Sequence, residues 1–192
     1  MTDFATFSSP CDVVDTHRYN ALVKNNLPNY RTVRIIEIRN LRVGSIKFKN
    51  KNGQIINKAR SLGTDKENVR LLLDSLMNQG WDMSKIPPIV ELNDLSLYDG
   101  FSRHEALLNK KQEEAPYLVV ERIDGFTIDE VIDEIGLGAN NHPQSRKASI
   151  VDFKKRFAAF VSRQKELGIE VTTKDGLKWF AGIEHSFGDV QI

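Results

Sequence analysis

The stretch LSLYDGFSRHEALLNKK, residues 95–111, decides the fold because it joins a β-type run to a helix through a single glycine. Apolar residues bring a strand to Gly100, which can turn without a Cβ penalty. Ser102 and Glu105 then have the spacing of a capping box, which predicts a helix over residues 103–110. A helix N-terminus presents backbone N–H groups and a partial positive charge, so the join predicts a phosphate site.

The first turn of this predicted helix carries an arginine, Arg103, where the helix dipole favours acidic side chains. Its position costs a little stability unless an anion lies beside it, and the alternative is an ordinary surface arginine. His104 follows Arg103 directly and Asp99 precedes the glycine, so both are expected close to the same turn.

The composition is that of a globular protein with one good core. The chain has 192 residues, of which 28% are charged and 40% hydrophobic. No apolar run approaches the ~20 residues that span a bilayer, and the N-terminus lacks the basic-then-apolar order of a secretory signal. A single cysteine, Cys11, cannot form an internal disulfide. These features predict a cytoplasmic protein with no membrane partner.

Charges are unevenly spread along the chain, although the net charge is only +1. Residues 31–60 hold nine basic side chains and one acidic one, whereas residues 113–134 hold eight acidic ones and one basic one. Residues 146–165 are basic again. Either these runs are solvated faces, or the basic ones form a surface for the phosphates of DNA. The candidate DNA contacts are Arg39, Arg42, Lys154, Lys155 and Arg156.

The N-terminal half of the chain divides into an arm and a β-unit. Residues 1–30 lack a clear period and are interpreted as an arm or short cap. The runs VRIIEIR (33–39) and RVGSIKFK (42–49) are typical of strands, and Asn52-Gly53 is a strong hairpin signal.

Helices and short strands follow in alternation. Thr64 and Glu67 form a capping box for a helix that should stop at Gly80, and Thr127 with Glu130 forms another. The further predicted strands are PPIVEL, LSLY and PYLVVE (116–121), and the further predicted helices are 128–135, one from a cap at Ser149 and Asp152 to Gly168, and 174–185.

Several motifs occur in a set order along the chain. Arg60 precedes the first capped helix, which ends in glycine and is followed by PPIV (87–90). The turn GFSRHEA (100–106) comes next, and the polar run GANNHPQSRK (138–147) precedes a helix. This order resembles the ParB/sulfiredoxin superfamily over roughly residues 33–165.

The resemblance implies an α+β fold, a small mixed sheet with helices, followed by a helical C-terminal extension. It also implies that the motifs surround a nucleoside triphosphate, CTP or ATP, and a magnesium ion. Asn140 or Asn141 would hold magnesium through an amide oxygen, since magnesium prefers hard oxygen ligands. The residues implied to hold the nucleotide are Arg60, Gly100, Ser102, Arg103, His104 and Arg146.

Two positions depart from the superfamily's patterns. Ala139 stands where ParB proteins proper have a glutamate, so one carboxylate metal ligand is missing. Ser102 stands where sulfiredoxins have a cysteine, which argues against sulfinic-acid reduction. His142 resembles the histidine of an Asn-x-x-His arrangement in ParB-like nucleases, where it could act as a general base. The alternative is a loop histidine without a catalytic role.

Three functions stay open on this basis. The first is a ParB-like protein that acts on DNA, extending to an endonuclease in which Arg103, His142 and Asp99 are catalytic. The second is a nucleotide-gated DNA-binding module without cleavage, and the third is a phosphotransferase on a small molecule or protein. DNA and a nucleotide are the expected partners, with a homodimer as a candidate assembly. The expected division is an arm over 1–30, a nucleotide-binding domain over 31–138, and the third motif with a helical extension over 139–192.

Overall fold

A four-stranded mixed sheet is the centre of the described part of the chain. The computed structural model describes residues 14–49, 52, 64–138 and 150–172, and of residues 137, 138 and 150–156 it describes the backbone only. The strands are β1 (Val33–Arg42), β2 (Ile89–Glu91), β3 (Leu97–Asp99) and β4 (Glu114–Arg122), and the helices are α1 (Thr16–Val23), α2 (Lys66–Asn78), α3 (Phe101–Asn109), α4 (Ile128–Gly138) and α5 (Ile150–Glu166). The strand order in the sheet is β1-β4-β2-β3.

Strand β4 lies at the centre of the sheet and is buried on both faces. It pairs antiparallel with β1 and parallel with β2, and β3 adds an antiparallel edge. Leu118 and Val120 pack with residues of α1 and α4, whereas Tyr117 and Val119 pack with residues of α2 and α3. Because neighbouring residues of a strand point to opposite faces, each face of the sheet carries one helix pair. The predicted α+β class with a small mixed sheet is confirmed.

Helix α1 belongs to the core, although it falls within the predicted arm. Tyr19 and Val23 are 0% and 2% exposed and pack against the sheet. Asn20 fastens the helix to the outer edge of β1, because its amide donates to the Ile38 carbonyl at 2.9 Å and accepts from the Ile38 N–H at 2.7 Å. Two buried residues four apart make too short a stripe to identify a helix from sequence. The domain boundary at residue 31 stays a prediction.

Strand β1 differs from the predicted β-unit. The first predicted strand, 33–39, is present and extends over Val33–Arg42. A 3-10 turn at Val43–Ser45 follows it. Beyond the turn, Lys47 forms an isolated parallel bridge to Ser96. The predicted strand over 42–49 is therefore wrong, because Gly44 and its neighbours turn the chain away from the direction of β1.

Two helix starts test the predicted capping boxes. The N-cap of α2 is Asp65, whose carboxylate accepts from the Glu67 N–H at 3.1 Å, so the cap predicted at Thr64 is wrong by one residue. The box at the start of α4 is confirmed, since the Thr127 N–H donates to Glu130 at 2.8 Å and the Glu130 N–H donates to the Thr127 hydroxyl at 3.3 Å.

Helix α5 is attached to α4 by a buried ion pair. Arg163 donates to the Asp133 carboxylate at 2.8 Å, and the Asp133 side chain is 0% exposed. Asp129, which is 59% exposed, lies 3.7 Å from the same guanidinium. Gly168, with φ +72°, closes the end of α5 as predicted. The helical extension therefore contacts the sheet domain directly.

Some predicted elements lie outside the described residues. They are the hairpin at Asn52-Gly53 apart from Asn52, the cap at Ser149 and the helix over 174–185. Of the helices in the described ranges, none combines the length and apolar character that crossing a bilayer requires.

Candidate functional site

The strand-to-helix join has the glycine-dependent geometry that the sequence predicts. Strand β3 ends at Asp99, and Gly100 has φ +85°, a conformation that disfavours residues with a Cβ. A Cβ on Gly100 would lie 2.7 Å from the Cα and from the Cβ of Pro88. The turn therefore needs glycine both for its backbone angles and for the close approach of Pro88.

Helix α3 begins at Phe101, two residues before the predicted start, and its N-cap is Gly100. No side chain caps it, so the capping box predicted from Ser102 and Glu105 is wrong. Glu105 instead accepts from the Thr64 hydroxyl and from Lys49, whose Nζ is 3.3 Å away. This carboxylate links α3 to the chain on either side of residues 50–63.

The first backbone N–H groups of α3 take their acceptors from outside the helix. The N–H groups of residues 101–103 have no intrahelical acceptor, as in any α-helix. The N–H of His104, in contrast, donates to the Gly100 carbonyl at 2.9 Å. The predicted phosphate donors therefore include Ser102 and Arg103 but not the His104 backbone.

The guanidinium of Arg103 has a neutral partner in this structure. Arg103 is half-buried, and its Nη1 donates to the backbone carbonyl of Ile86, in the loop that leads to β2. A guanidinium has further N–H donors once one of them is used. The cation therefore lies in the first turn of α3, held by the Ile86 carbonyl, with donors remaining for an anion.

The side chain of His104 lies in the core rather than at the site. It is 0% exposed, with Nδ1 2.9 Å from the Tyr117 hydroxyl and the ring in edge contact with Phe48 at 4.5 Å between centroids. Burial lowers its pKa to about 4, so the imidazole is neutral at pH 7. The prediction that His104 contacts a nucleotide is corrected, because the helical turn that exposes Arg103 directs the next residue inward.

The buried His104 predicts a loss of stability in mild acid. The unfolded chain takes up the proton near pH 6.5 and the folded protein only near pH 4, so stability falls as the pH drops through this window. Between pH 7 and pH 5 the loss from this residue is about 2 kcal/mol. Urea unfolding across this range should show it for the native chain and not for His104→Gln. Equal pH slopes for the two proteins would contradict the assignment.

The charge of Asp99, at the end of β3, acts on an aromatic residue that the motifs do not include. Burial raises the pKa of the Tyr30 phenol well above its usual range, and the charges of Asp99 and Glu134 raise it further. Tyr30 therefore keeps its proton at pH 7. The catalytic role of Asp99 stays a prediction.

Several predicted site residues lie outside the described part of the chain. They are Arg60, Asn140, Asn141, His142 and Arg146. Within the described ranges, no group of three histidine, cysteine, aspartate or glutamate side chains is arranged to hold a metal ion. The roles of these five residues, including the magnesium ligands, stay predictions.

Basic and acidic segments that are separate in the sequence meet in the fold. Arg31 lies 3.2 Å from Glu134, and Arg34 donates to Glu121 across the β1–β4 pair. Glu134 also accepts from the backbone N–H of Thr32 at 2.9 Å. The described part of the basic segment is therefore neutralised in part by the acidic one rather than forming a uniformly positive face.

The candidate DNA contacts differ in their surroundings. Arg39 is paired with Glu37 at 2.5 Å, and Arg42 is exposed opposite Glu114 at the end of β1. The remaining candidates lie on helix α5, and their side chains are outside the described residues; they are Lys154, Lys155 and Arg156. Their contact with DNA stays a prediction.

The sequence motifs did not identify the group that holds the Arg103 guanidinium. The Ile86 carbonyl is a backbone group, and a backbone acceptor can belong to any residue type. The sequence motifs do include Pro88, because it belongs to the PPIV run that precedes the turn. Its packing against Gly100 is a tertiary contact, which the motifs do not predict.

No family model and no curated protein matches this chain. Among solved structures, the chain is similar to a pNOB8-like ParB N-domain, with a TM-score of 0.57 and 12% identity over 83% of this chain and 62% of that one. The C2221 form of a Pnob8-like ParB-N domain gives a TM-score of 0.54 and 13% identity over 72% of this chain and 51% of that one.

A third similar structure is the C-terminally truncated chromosome-partitioning protein ParB from Caulobacter crescentus, complexed with CTP-gamma-S. It has a TM-score of 0.41 and 15% identity, over 76% of this chain and 71% of that one. The chain spans 62% and 51% of the length of the two pNOB8-like chains. At 12% and 13% sequence identity, the similarity is evidence of the fold alone. Together with the mixed sheet and the glycine turn, these two likenesses show that the chain has the ParB N-domain fold.

Proposed function

We propose that this chain binds a nucleoside triphosphate, CTP or ATP, at the turn from Asp99 to Arg103 and acts on DNA in a nucleotide-linked way. The observation that carries the proposal is the pairing of the uncapped start of α3 with the Arg103 guanidinium. Backbone N–H groups and a guanidinium together complement the oxygens of a phosphate in charge and in hydrogen-bond donors.

The described donors fit phosphate better than they fit a metal. Near the turn they are N–H groups and a cation, with the carboxylate of Asp99 as the acidic group beside Gly100. Magnesium, when bound, would neutralise phosphate charge, and Asn140 or Asn141 would hold it through an amide oxygen. Arg60 and Arg146 would add phosphate contacts, and Ser102 would add its backbone N–H.

A DNA-binding module without cleavage is favoured over the two other functions. The ParB N-domain fold supports a DNA-linked role more than a phosphotransferase. Cleavage would need a general base, for which His142 is the candidate, and the sequence shows no pair of carboxylates at a fixed spacing typical of nucleases. Nicking of a supercoiled plasmid and binding to the same plasmid, each measured with magnesium and with each nucleotide, distinguish the three when combined with nucleotide titration. Nicking would favour an endonuclease, DNA binding without nicking the module, and nucleotide binding without DNA binding the phosphotransferase.

Replacing Arg103 with alanine is expected to weaken triphosphate binding by roughly tenfold or more, since a charge-assisted hydrogen bond is worth about 1.5–3 kcal/mol. Fluorescence titration with a labelled triphosphate, competed with unlabelled CTP and ATP, measures the change. Arg70→Ala is the matched control, because Arg70 is exposed on α2 and paired with Glu67. Equal affinities for Arg103→Ala and the native chain would refute the site.

A further inference from the structure

The loop over residues 81–88 is held from two sides through adjacent backbone carbonyls. The hydroxyl of Tyr19, on helix α1, donates to the carbonyl of Lys85. The guanidinium of Arg103, on helix α3, donates to the next carbonyl, that of Ile86. The loop therefore connects α1, which carries no motif residue, to the arginine of the nucleotide turn.

The loop is also held on both sides of Lys85 and Ile86. Asp82 accepts from the Ser84 N–H at 3.0 Å and from the Ser84 hydroxyl at 2.6 Å, which fixes a tight turn just before Lys85. At the other end of the loop, Pro88 packs so closely on Gly100 that a Cβ there would approach it to 2.7 Å. A displacement of the Lys85 backbone would therefore shift the Ile86 carbonyl as well.

Tyr19 itself is held in a defined place. It is 0% exposed, and the next residue, Asn20, bonds both backbone groups of Ile38 on β1. Burial raises the pKa of Tyr19 to about 12, so its hydroxyl keeps its proton and remains a donor wherever the protein is folded. The Tyr19 hydroxyl therefore has a fixed position, and its hydrogen bond to the Lys85 carbonyl fixes the loop there.

We propose that Tyr19 is a positioning residue for the nucleotide site: it fixes the 81–88 loop so that the Ile86 carbonyl orients the Arg103 guanidinium towards the start of α3. This inference rests on the proposed nucleotide site. An arginine side chain loses considerable rotamer freedom when it is immobilised by a ligand. A carbonyl that already holds one of its N–H groups removes part of that cost before the phosphate arrives, which tightens binding.

The test is a double-mutant cycle on triphosphate affinity, because a purely structural role would not make the two sites depend on each other. Tyr19→Phe is expected to weaken triphosphate binding roughly fivefold, a loss of about 1 kcal/mol. In the Arg103→Ala background, the same Tyr19→Phe change should leave the remaining affinity unaltered. Tyr117→Phe is the matched control: it removes another buried tyrosine hydroxyl, the one beside His104, and should change affinity less than about twofold.

The outcomes separate this inference from the site on which it rests. Normal binding by Arg103→Ala refutes the site itself. Weak binding by Arg103→Ala with native-like binding by Tyr19→Phe overturns the role of Tyr19 and leaves the site intact. An equal effect of Tyr19→Phe with and without Arg103 overturns it too, because the effect would not pass through the guanidinium. Should Tyr19→Phe fail to fold, Asp82→Ala loosens the same loop, and the same cycle with Arg103 decides.

Discussion

Replacing Arg163 with alanine is expected to destabilise the protein by about 3 kcal/mol or more, because it removes the guanidinium that stabilises a buried carboxylate. The Asp133 side chain is 0% exposed, and Arg163 donates to it at 2.8 Å. A buried carboxylate without its guanidinium must either stay charged in a poorly polar environment or take up a proton. Urea unfolding near pH 7 measures the loss.

Two further variants show whether the effect comes from the buried charge. Asp129→Asn removes the exposed carboxylate 3.7 Å from the same guanidinium and should cost less than about 0.5 kcal/mol. The double variant Arg163→Met with Asp133→Leu removes both charges and should recover much of the lost stability. A double variant as unstable as Arg163→Ala would indicate that lost packing of α5, rather than the charge of the buried carboxylate, sets the cost.

The predictable part of the fold is the part with a local signal. The run in β4 is apolar at consecutive positions, which identifies a strand buried on both faces. The capping box of Thr127 and Glu130 lies three residues apart in sequence and forms as predicted. The glycine turn at Gly100 was also identified locally, since the glycine and the strand and helix patterns on either side of it are contiguous in sequence.

The parts that sequence reasoning missed depend on contacts between distant residues. Asn20 bonds Ile38 in addition to its local bond to the Thr16 carbonyl, and the Thr64 hydroxyl donates to Glu105 rather than capping α2. Glu105 has the correct spacing for a capping box, but its carboxylate accepts from Thr64 and Lys49 instead. The N-cap of α3 is Gly100, which has no capping side chain. Local capping rules hold only when no such partner competes.

The turn that carries the candidate site was predictable in its local geometry and not in its tertiary contacts. The sequence predicted a glycine bend and a helix whose first turn carries Arg103, and the structure has both. The inward position of His104 follows from the helical period, but only once the burial of neighbouring Ala106 and Leu107 shows which face of α3 meets the sheet. The partner of Arg103, a carbonyl of the 81–88 loop, could not be read from any side chain.

Gly100→Ala is expected to be more damaging than the same change at Gly125 or Gly44, with a loss of about 3 kcal/mol in stability from left-handed strain and steric overlap together. The two other glycines separate these causes. Gly125 has φ +94° and nothing within 4 Å of the place that a Cβ would take, so Gly125→Ala should cost about 1 kcal/mol from backbone strain alone. Gly44 has neither a positive φ nor a neighbour within 4 Å, so Gly44→Ala should be close to neutral.

The difference between Gly100→Ala and Gly125→Ala therefore measures the contact with Pro88, whose backbone Cα would lie 2.7 Å from the added methyl. Because that backbone cannot move without shifting the 81–88 loop, Gly100→Ala should also displace the Ile86 carbonyl and weaken triphosphate binding, whereas Gly125→Ala should leave binding unchanged. Thermal unfolding and nucleotide titration of the three variants give both quantities. Equal losses of stability for Gly100→Ala and Gly125→Ala would mean that Pro88 yields without cost, and that the turn and the loop are not rigidly joined.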